Sequence, residues 1–419
     1  MAHRAAGSFA AVMTRAFVSS FVTLLCATAL AQTRTVHVGI LRDRQVDGIV
    51  VLSAGGGYNI MADGKKVGEL LSNDGLRVST AGGKLQAKSL AASFTAGYIE
   101  LIQKVPLSAF RLKVLDSKMA ERTYPGHLRI DRNGVRLQLT NHASMEDYTA
   151  GVIQSEAGKD HNAEYYKLQA VACRTYALTN ARKHLPEGFE ICDEVHCQVY
   201  RGRTSNPDIL AAVAATEDMV LVDARIKLIH ATFHSNCGGE TLNAEDVWSK
   251  SEPYLRAVVD SFCMQEPHAV WTRTIGKADW LAYLNKKWKV NTTDTNAIAS
   301  ALNMEPNRRN LYLPNVQPAV PLEDVRHDWK LNSGYFAIHT VGENVVLEGR
   351  GFGHGVGLCQ EGAMHMARTG MSYTDILHHY FTDVHLVDLS AIDFFRDENA
   401  VQEKPATGAS PATFEGGGN

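Results

Sequence analysis

Glu156 closes the segment Tyr148-Thr-Ala-Gly-Val-Ile-Gln-Ser-Glu156, and positions 148, 152 and 156 are spaced four apart. On a helix that spacing puts the carboxylate at the end of an apolar face, at a C-terminus where the dipole is negative. Desolvation and the dipole both disfavour the charged form, which raises the pKa. A carboxylic acid that keeps its proton near neutral pH is what general-acid attack on a glycosidic oxygen requires. The alternative is a solvated glutamate at a fraying helix end.

Three further segments carry chemistry-bearing residues. Cys192-Asp-Glu-Val-His196-Cys197, with His184 upstream, offers two thiolates and imidazoles that could hold zinc. Its C-x3-H-C spacing matches no common zinc-finger class, and the thiols could equally form a disulfide or stay buried and free. Gly349-Arg-Gly-Phe-Gly-His354-Gly-Val-Gly357 alternates glycine between a strand and a helix, so its backbone can approach a ligand closely. It has neither the dinucleotide-binding nor the phosphate-loop register. His354 could bind substrate or shuttle protons there, or simply brace a tight turn. His234-Ser235-Asn-Cys237-Gly-Gly-Glu-Thr241 is polar and turn-rich. With no G-x-S-x-G elbow around it, it reads as substrate-binding backbone, with Cys237 able to reach Cys263 as a disulfide.

The elements that must position these residues are legible in outline. Val36, Val38 and Ile40 alternate as in a half-buried strand, and Asp63-Gly64 and Asn133-Gly134 are hairpin dipeptides, the second flanked by Leu128, Ile130, Val135, Leu137 and Leu139. Residues 32–124 therefore read as an antiparallel β module. Ser144 N-caps a helix with Asp147 three residues on, and a second helix spans about Glu164 to His184. Short strands and loops are expected through Asp260, helix with loops over Lys277–Pro318, and strands over Phe336–Leu347. A helical hairpin follows, Gln360–Arg368 and Tyr373–Phe381 around Gly370. The predicted fold class is α+β: an antiparallel β module at 32–124, a mixed helix-and-strand core at 125–390, and a tail at 391–419 that is disordered from about Glu403.

The 419 residues are 45% hydrophobic and 21% charged, with a formal net charge of −3. That excludes a strongly basic nucleic-acid binder, and the 34 glycines and 12 prolines are spread out rather than periodic. Arg4 and Arg15 precede the uncharged run Ala16–Leu30, which ends in Ala29-Leu30-Ala31. Residues 1–31 thus have the regions of a cleaved export signal, and the run is short for a membrane span. No later segment is apolar enough to span a bilayer. The mature chain is expected outside the cytoplasm, periplasmic or extracellular, with six cysteines: 173, 192, 197, 237, 263 and 359.

Taken in order, these segments resemble the SpoIID/LytB family of exported cell-wall proteins. Tyr148–Glu156 is similar to the family's Y-L-x-G-V-V-x-S-E, and Lys167–Ala177 to K-A-Q-A-V-A-A-R-T-Y-A. Cys192–Gly202 resembles C-D-x-T-x-C-Q-V-Y-x-G, and His234–Thr241 with Val247-Trp248 and Pro253-Tyr254-Leu255 resembles S-x-S-G-G-x-T and its sequel. Gly351–Ala363 is similar to G-x-G-H-G-V-G-M-S-Q-x-G-A. The match covers about residues 125–390.

The resemblance implies lytic transglycosylation of peptidoglycan, cleaving MurNAc-GlcNAc bonds with 1,6-anhydro-MurNAc formation, and it puts the catalytic glutamate on Glu156. It implies a structural zinc at Cys192 and Cys197 with His184 or His196. Arg174, Gln198, Tyr200, Ser235 and His354 are the candidates for holding the glycan. One carboxyl suffices if the sugar's own C6 hydroxyl is the nucleophile; a hydrolase would need a second, with Asp193, Glu194, Glu240 and Glu361 as possible partners. The rival readings are a non-catalytic glycan binder that enhances a cell-wall amidase, a zinc amidase cutting stem peptides, and an exported scaffold. The chain departs from the family pattern at Cys173, where alanine is usual, at Cys237 and Cys359, where serine is, and at Ala157-Gly158 after the glutamate.

Overall fold

The computed structural model describes residues 34–395 except residue 73. The expected export signal at 1–31 and the tail beyond 395 lie outside the described residues. Strands β1 Thr35–Ile40, β2 Gly48–Gly55, β3 Tyr58–Ala62, β4 Lys65–Leu70, β5 Gly75–Ala81 and β6 Lys84–Lys88 come first. β7 Ser93–Ala96, β8 Ile99–Gln103, β9 Ala109–Val114, β10 Arg122–Pro125, β11 His127–Asn133 and β12 Arg136–Ser144 follow. Val36, Val38 and Ile40 are all buried, as their alternation requires.

Six of these strands form one sheet, in the order β10-β9-β2-β5-β6-β7. The others join a seven-stranded sheet, β13-β1-β12-β11-β8-β3-β4, in which β13 is Ile191–Cys192. Tyr58 of the second sheet meets Phe110 of the first edge-on at 6.1 Å, within one shared apolar core. The seven-stranded sheet hydrogen-bonds strands on both sides of residue 124, so the division expected there falls inside a continuous ladder.

Both hairpin dipeptides mark turns, with one shift of register. Asp63 and Gly64 have φ of 47° and 78° and link Ala62 to its partner Lys65, as a two-residue turn demands. In the second hairpin Asn133 itself pairs with Arg136, so the loop is Gly134-Val135. Val135 is consequently 77% exposed at the tip rather than in the core.

Helices α1 Met145–Glu156 and α2 Ala163–Thr179 follow and pack on one another. Ser144 caps α1, accepting from Asp147 N at 3.0 Å. The second helix ends five residues before the expected His184. Thr179 bonds back to Thr175 O, and the Asn180 side chain bonds back to Tyr176 O. Such local bonding competes with helix continuation. α3 Pro207–Ala215, capped by Asn206, lies where only strands and loops were expected. β14 Met219–Val222, β15 Phe233–His234 and the short α4 Glu245–Trp248 follow.

Residues 270–350 make a lobe with its own core. β16 Val270–Gly276, β17 Phe336–Val341 and β18 Asn344–Arg350 form a three-stranded sheet, with β18 central. α5 Lys277–Trp288, α6 Thr295–Leu302 and α7 Leu322–Trp329 complete the lobe, and Trp280, Leu284, Val325, Phe336 and Leu347 are buried within it. The chain then returns through β19 Leu358–Cys359, α8 Gln360–Arg368 and α9 Tyr373–Tyr380, which is the expected helical hairpin. β20 His385–Asp388 pairs with β14, and α10 Leu389–Phe395 crosses the expected start of the tail. β19 runs parallel to β15, with His234 opposite Cys359. That pairing joins the His234–Thr241 segment to the glycine-rich turn. No helix among the described residues is long and apolar enough to cross a membrane.

Candidate functional site

Glu156 is the last residue of α1, a helix with no basic side chain in its final turn. Its side chain is half-buried, and its Oε1 accepts the Val199 N–H at 2.6 Å. Burial raises its pKa above the ordinary carboxylate value; the Val199 hydrogen bond and the Arg201 charge offset part of that rise. Desolvation thus acts on this carboxyl in the direction argued from its sequence position.

The 198–204 segment is docked along the end of α1. Arg201 N donates to Ser155 Oγ at 3.1 Å, and Thr204 Oγ1 to Gln154 Oε1 at 3.0 Å. Gly151 makes this close approach possible: a Cβ there would sit 2.3 Å from Gly202 O and 2.5 Å from the Tyr200 ring. The resemblance marks this glycine, but only the packing gives its reason.

The other acids weighed as partners are engaged elsewhere. Asp193 is fully buried and pushed up to about 6 by burial, with Oδ2 accepting Leu41 N at 3.0 Å. Glu194 forms a two-pronged pair with Arg201, at 3.0 and 2.9 Å. Glu240 pairs with Arg308, and Glu361 takes Asn236 Nδ2 and His268 Nδ1, each at 2.6 Å.

Of the residues expected to hold a glycan, several are internal. Arg174 is fully buried and binds Glu146 through Nε (2.8 Å) and Met219 O through Nη1 (2.9 Å). Tyr200 is fully buried, its hydroxyl donating to Asn141 Oδ1 at 3.1 Å. Both side chains are closed off from solvent and tie core elements together. Gln198 is buried beside Val199, accepting the Tyr148 hydroxyl at 3.1 Å, and its Nε2 is unpartnered. Ser235 is half-buried, and its carbonyl accepts Glu361 N at the start of α8.

His354 has both ring nitrogens committed to backbone: Nδ1 accepts Val356 N at 3.1 Å, so Nε2 carries the hydrogen toward Phe233 O at 3.0 Å. Burial lowers its pKa to about 4, so the ring is neutral at physiological pH. This histidine braces the glycine-rich turn, and the expected proton-shuttle role has no free nitrogen to use.

His184, Cys192, His196 and Cys197 converge, with one ligand atom of each lying within 4.8 Å of all the others. Cys192 is brought there by β13 pairing with β1, opposite Gly39. The missing side chain of Gly39 admits the Phe189 ring, which would touch a Cβ at 2.5 Å and which stacks on His184 at 5.2 Å. His184 Nδ1 lies 2.6 Å from Glu187 Oε1, which turns its Nε2 toward His196 and the two sulfurs. A histidine held by a carboxylate, plus a second imidazole and two thiols, is a donor set that suits a tetrahedral zinc ion. The resemblance left His184 and His196 as alternatives; the fold brings both in.

The pairing expected for Cys237 and Cys263 is present as a contact between free thiols, with Sγ atoms 3.4 Å apart and Cys359 beside them. Cys173 is a core residue of α2.

A family model described as SpoIID, stage II sporulation protein, matches residues 133–222, which run from the end of β11 through α1, α2 and the Cys192–Gly202 segment to β14. An uncharacterised protein of Brachyspira hyodysenteriae is 32% identical over 267 residues, covering 61% of this chain and 70% of that protein. The stage II sporulation protein D of Bacillus amyloliquefaciens is 29% identical over 276 residues, 60% of this chain and 75% of that protein. A Bacillus subtilis protein named amidase enhancer is 27% identical over 284 residues, 55% of this chain but 39% of its own length.

Proposed function

This chain belongs to the SpoIID family, and we propose that it acts on the cell wall as a peptidoglycan lytic transglycosylase with Glu156 as its single acid and base. The observation that carries this reading is the half-buried Glu156 carboxyl, raised by desolvation and held by one backbone N–H. In the protonated form, because Oε1 accepts from Val199, the proton sits on Oε2. Glu156 passes that proton to the oxygen of the MurNAc-GlcNAc bond as the bond to the MurNAc anomeric carbon breaks. The carboxylate left behind is stabilised by Val199 N–H and the Arg201 charge. It then takes the proton of the C6 hydroxyl of the same MurNAc, whose oxygen closes on the anomeric carbon. The product is a 1,6-anhydro sugar, no water is consumed, and Glu156 is returned protonated. The engagement of Asp193, Glu194, Glu240 and Glu361 with other groups supports a one-carboxyl scheme over a two-carboxyl hydrolysis.

His184, Cys192, His196 and Cys197 would hold a structural zinc, which ties the 184–197 segment together and takes no part in the proton transfers. Its effect on Glu156 is indirect, because Gln198 and Val199 follow Cys197 directly. The chain is expected to be exported and to meet glycan strands outside the cytoplasm.

A second reading, a glycan binder that assists a cell-wall amidase, is favoured by the similarity to the Bacillus subtilis protein named amidase enhancer. Mass spectrometry of glycan products from purified protein, with and without Glu156→Gln, separates the two. The transglycosylase reading expects anhydro-sugar ends from the wild type and a loss of about 100-fold or more in the variant. A variant that still releases anhydro-sugar at the wild-type rate removes Glu156 from the chemistry. A wild type that binds glycan and releases nothing overturns the enzyme reading.

A further inference from the structure

Outside the Glu156 site and the His184–Cys197 cluster, a second set of metal-type donors is buried in the body of the protein. Cys237, Cys263, Cys359 and Asp260 are each fully buried, and their ligand atoms lie within 4.8 Å of one another. They come from three parts of the chain: the loop after β15, the 260–263 turn, and the residue that N-caps α8. Around a zinc ion with bonds of about 2.3 Å to sulfur, tetrahedral ligand atoms sit about 3.8 Å apart. The Cys237 and Cys263 sulfurs are at 3.4 Å, and Cys237 Sγ is 3.3 Å from Asp260 Oδ2. The four donors thus have the spacing of one tetrahedral ion.

Backbone donors converge on the cluster. Cys359 Sγ accepts the backbone N–H of Cys237 at 3.3 Å and of Gly362 at 3.4 Å, the latter at the N-terminus of α8. Behind Cys237 the loop turns back on itself, with Gly238 N donating to Asn236 Oδ1 at 2.8 Å. Gly238 and Gly239 reach this geometry with φ of 73° and 108°, which side-chain-bearing residues rarely adopt. Asp260 is oriented on its other contacts: Tyr380 hydroxyl donates to Oδ2 at 2.9 Å and Phe262 N to Oδ1 at 2.9 Å. A Cβ on Gly362 would lie 2.3 Å from Asp260 Oδ2, so that glycine keeps the space beside the carboxylate open.

A disulfide uses only part of this arrangement. Joining Cys237 to Cys263 would leave a third thiol and a carboxylate buried against the bridge, with N–H donors still aimed at the sulfurs. A divalent thiophilic cation uses all four donors and offsets the cost of burying them together. We propose that Cys237, Asp260, Cys263 and Cys359 form a second, structural zinc site, which fastens the β15 loop and the start of α8 behind the glycine-rich turn. Binding releases the thiol protons to solvent and forms three Zn–S bonds and one Zn–O bond, with no change of oxidation state. The site is independent of the reading of Glu156 and of the occupancy of the His184–Cys197 cluster.

The test measures zinc per chain by plasma mass spectrometry on the full mature protein purified without added metal or reductant. Three forms are compared: wild type, Cys237→Ser/Cys359→Ser and Cys192→Ser/Cys197→Ser. The proposal expects a zinc that disappears in the first double variant and persists in the second. Cobalt loaded into the second variant should give a thiolate-to-cobalt charge-transfer band with tetrahedral d–d bands. Asp260→Asn, which keeps all thiols and the shape of the side chain, should weaken that ion at least tenfold in chelator competition. This variant and the cobalt spectrum of the wild type keep the test decisive if a double variant fails to fold. Zinc confined to the 184–197 cluster, a metal-free wild type, or recovery of Cys237 and Cys263 as a disulfide after acid quench and alkylation each overturns the proposal.

Discussion

Gly151→Ala is a one-carbon perturbation whose effect on Glu156 can be worked from contacts. The added carbon would sit 2.3 Å from Gly202 O and 2.5 Å from the Tyr200 ring. Comfortable carbon contacts begin at about 3.5 Å, so the two surfaces must part by about 1 Å. Tyr200 cannot yield alone, because its hydroxyl is held by Asn141 and its ring packs on Tyr148 and Tyr124 at 5.1 and 5.8 Å. The 199–202 backbone must therefore move away from α1. The Val199–Glu156 contact of 2.6 Å then opens to a distance at which no hydrogen bond remains.

Overpacking costs about 1–3 kcal/mol, and the better helix propensity of alanine returns up to about 1 kcal/mol. The variant should therefore fold at room temperature. Misplacement by about 1 Å costs about 100-fold in rate. Without the Val199 N–H, which favours the carboxylate, the pKa of Glu156 rises further, so its protonated form persists to higher pH. The alkaline limb of kcat/KM for anhydro-muropeptide release should accordingly move upward. Urea unfolding, product mass spectrometry and a pH profile on the same preparation check all three. A folded variant with wild-type rate and an unshifted alkaline limb would refute the link between Gly151, Val199 and Glu156.

Two other perturbations have signed outcomes. His354 has a folded pKa of about 4 against an ordinary 6.5, so between those values the unfolded chain binds the extra proton; its contribution to stability is full above 6.5 and is lost as the pH falls through about 4. Its ring signals in NMR should stay those of the neutral, Nε2-protonated form until about pH 4, and a titration near 6.5 would contradict the burial argument. Arg174→Ala strands Glu146 in a partly buried site and should cost about 3–5 kcal/mol in urea unfolding, with much of it recovered when Glu146 is also replaced by leucine. A variant of normal stability with a raised KM would instead return Arg174 to the substrate.

Local pattern carried a good part of this fold because the signals were local. Val36, Val38 and Ile40 alternate because one face of β1 is buried, and Ser144 with Asp147 announces the start of α1 because capping involves residues three apart. Less was legible where neighbours in space are distant in sequence. The end of α2 at Thr179 depends on side-chain bonds that the apolar period does not encode. The lobe at 270–350 packs its helices on strands that come later in the chain, so the sequence showed helix with loops over Lys277–Pro318 but neither the helix bounds nor the separate core.

Residue types and spacing alone determined that Glu156 ends an apolar helical face and that Cys192, His196 and Cys197 are close in the chain. Tertiary structure decided what those residues do. It brought His184 across to the two thiols, committed both nitrogens of His354 to backbone, and turned Arg174 and Tyr200 inward. It also gathered Cys237, Asp260, Cys263 and Cys359 from segments up to 122 positions apart. The physical reason is that hydrogen-bond commitment, desolvation and ligand geometry are properties of an environment, and an environment exists only once the chain has closed around it.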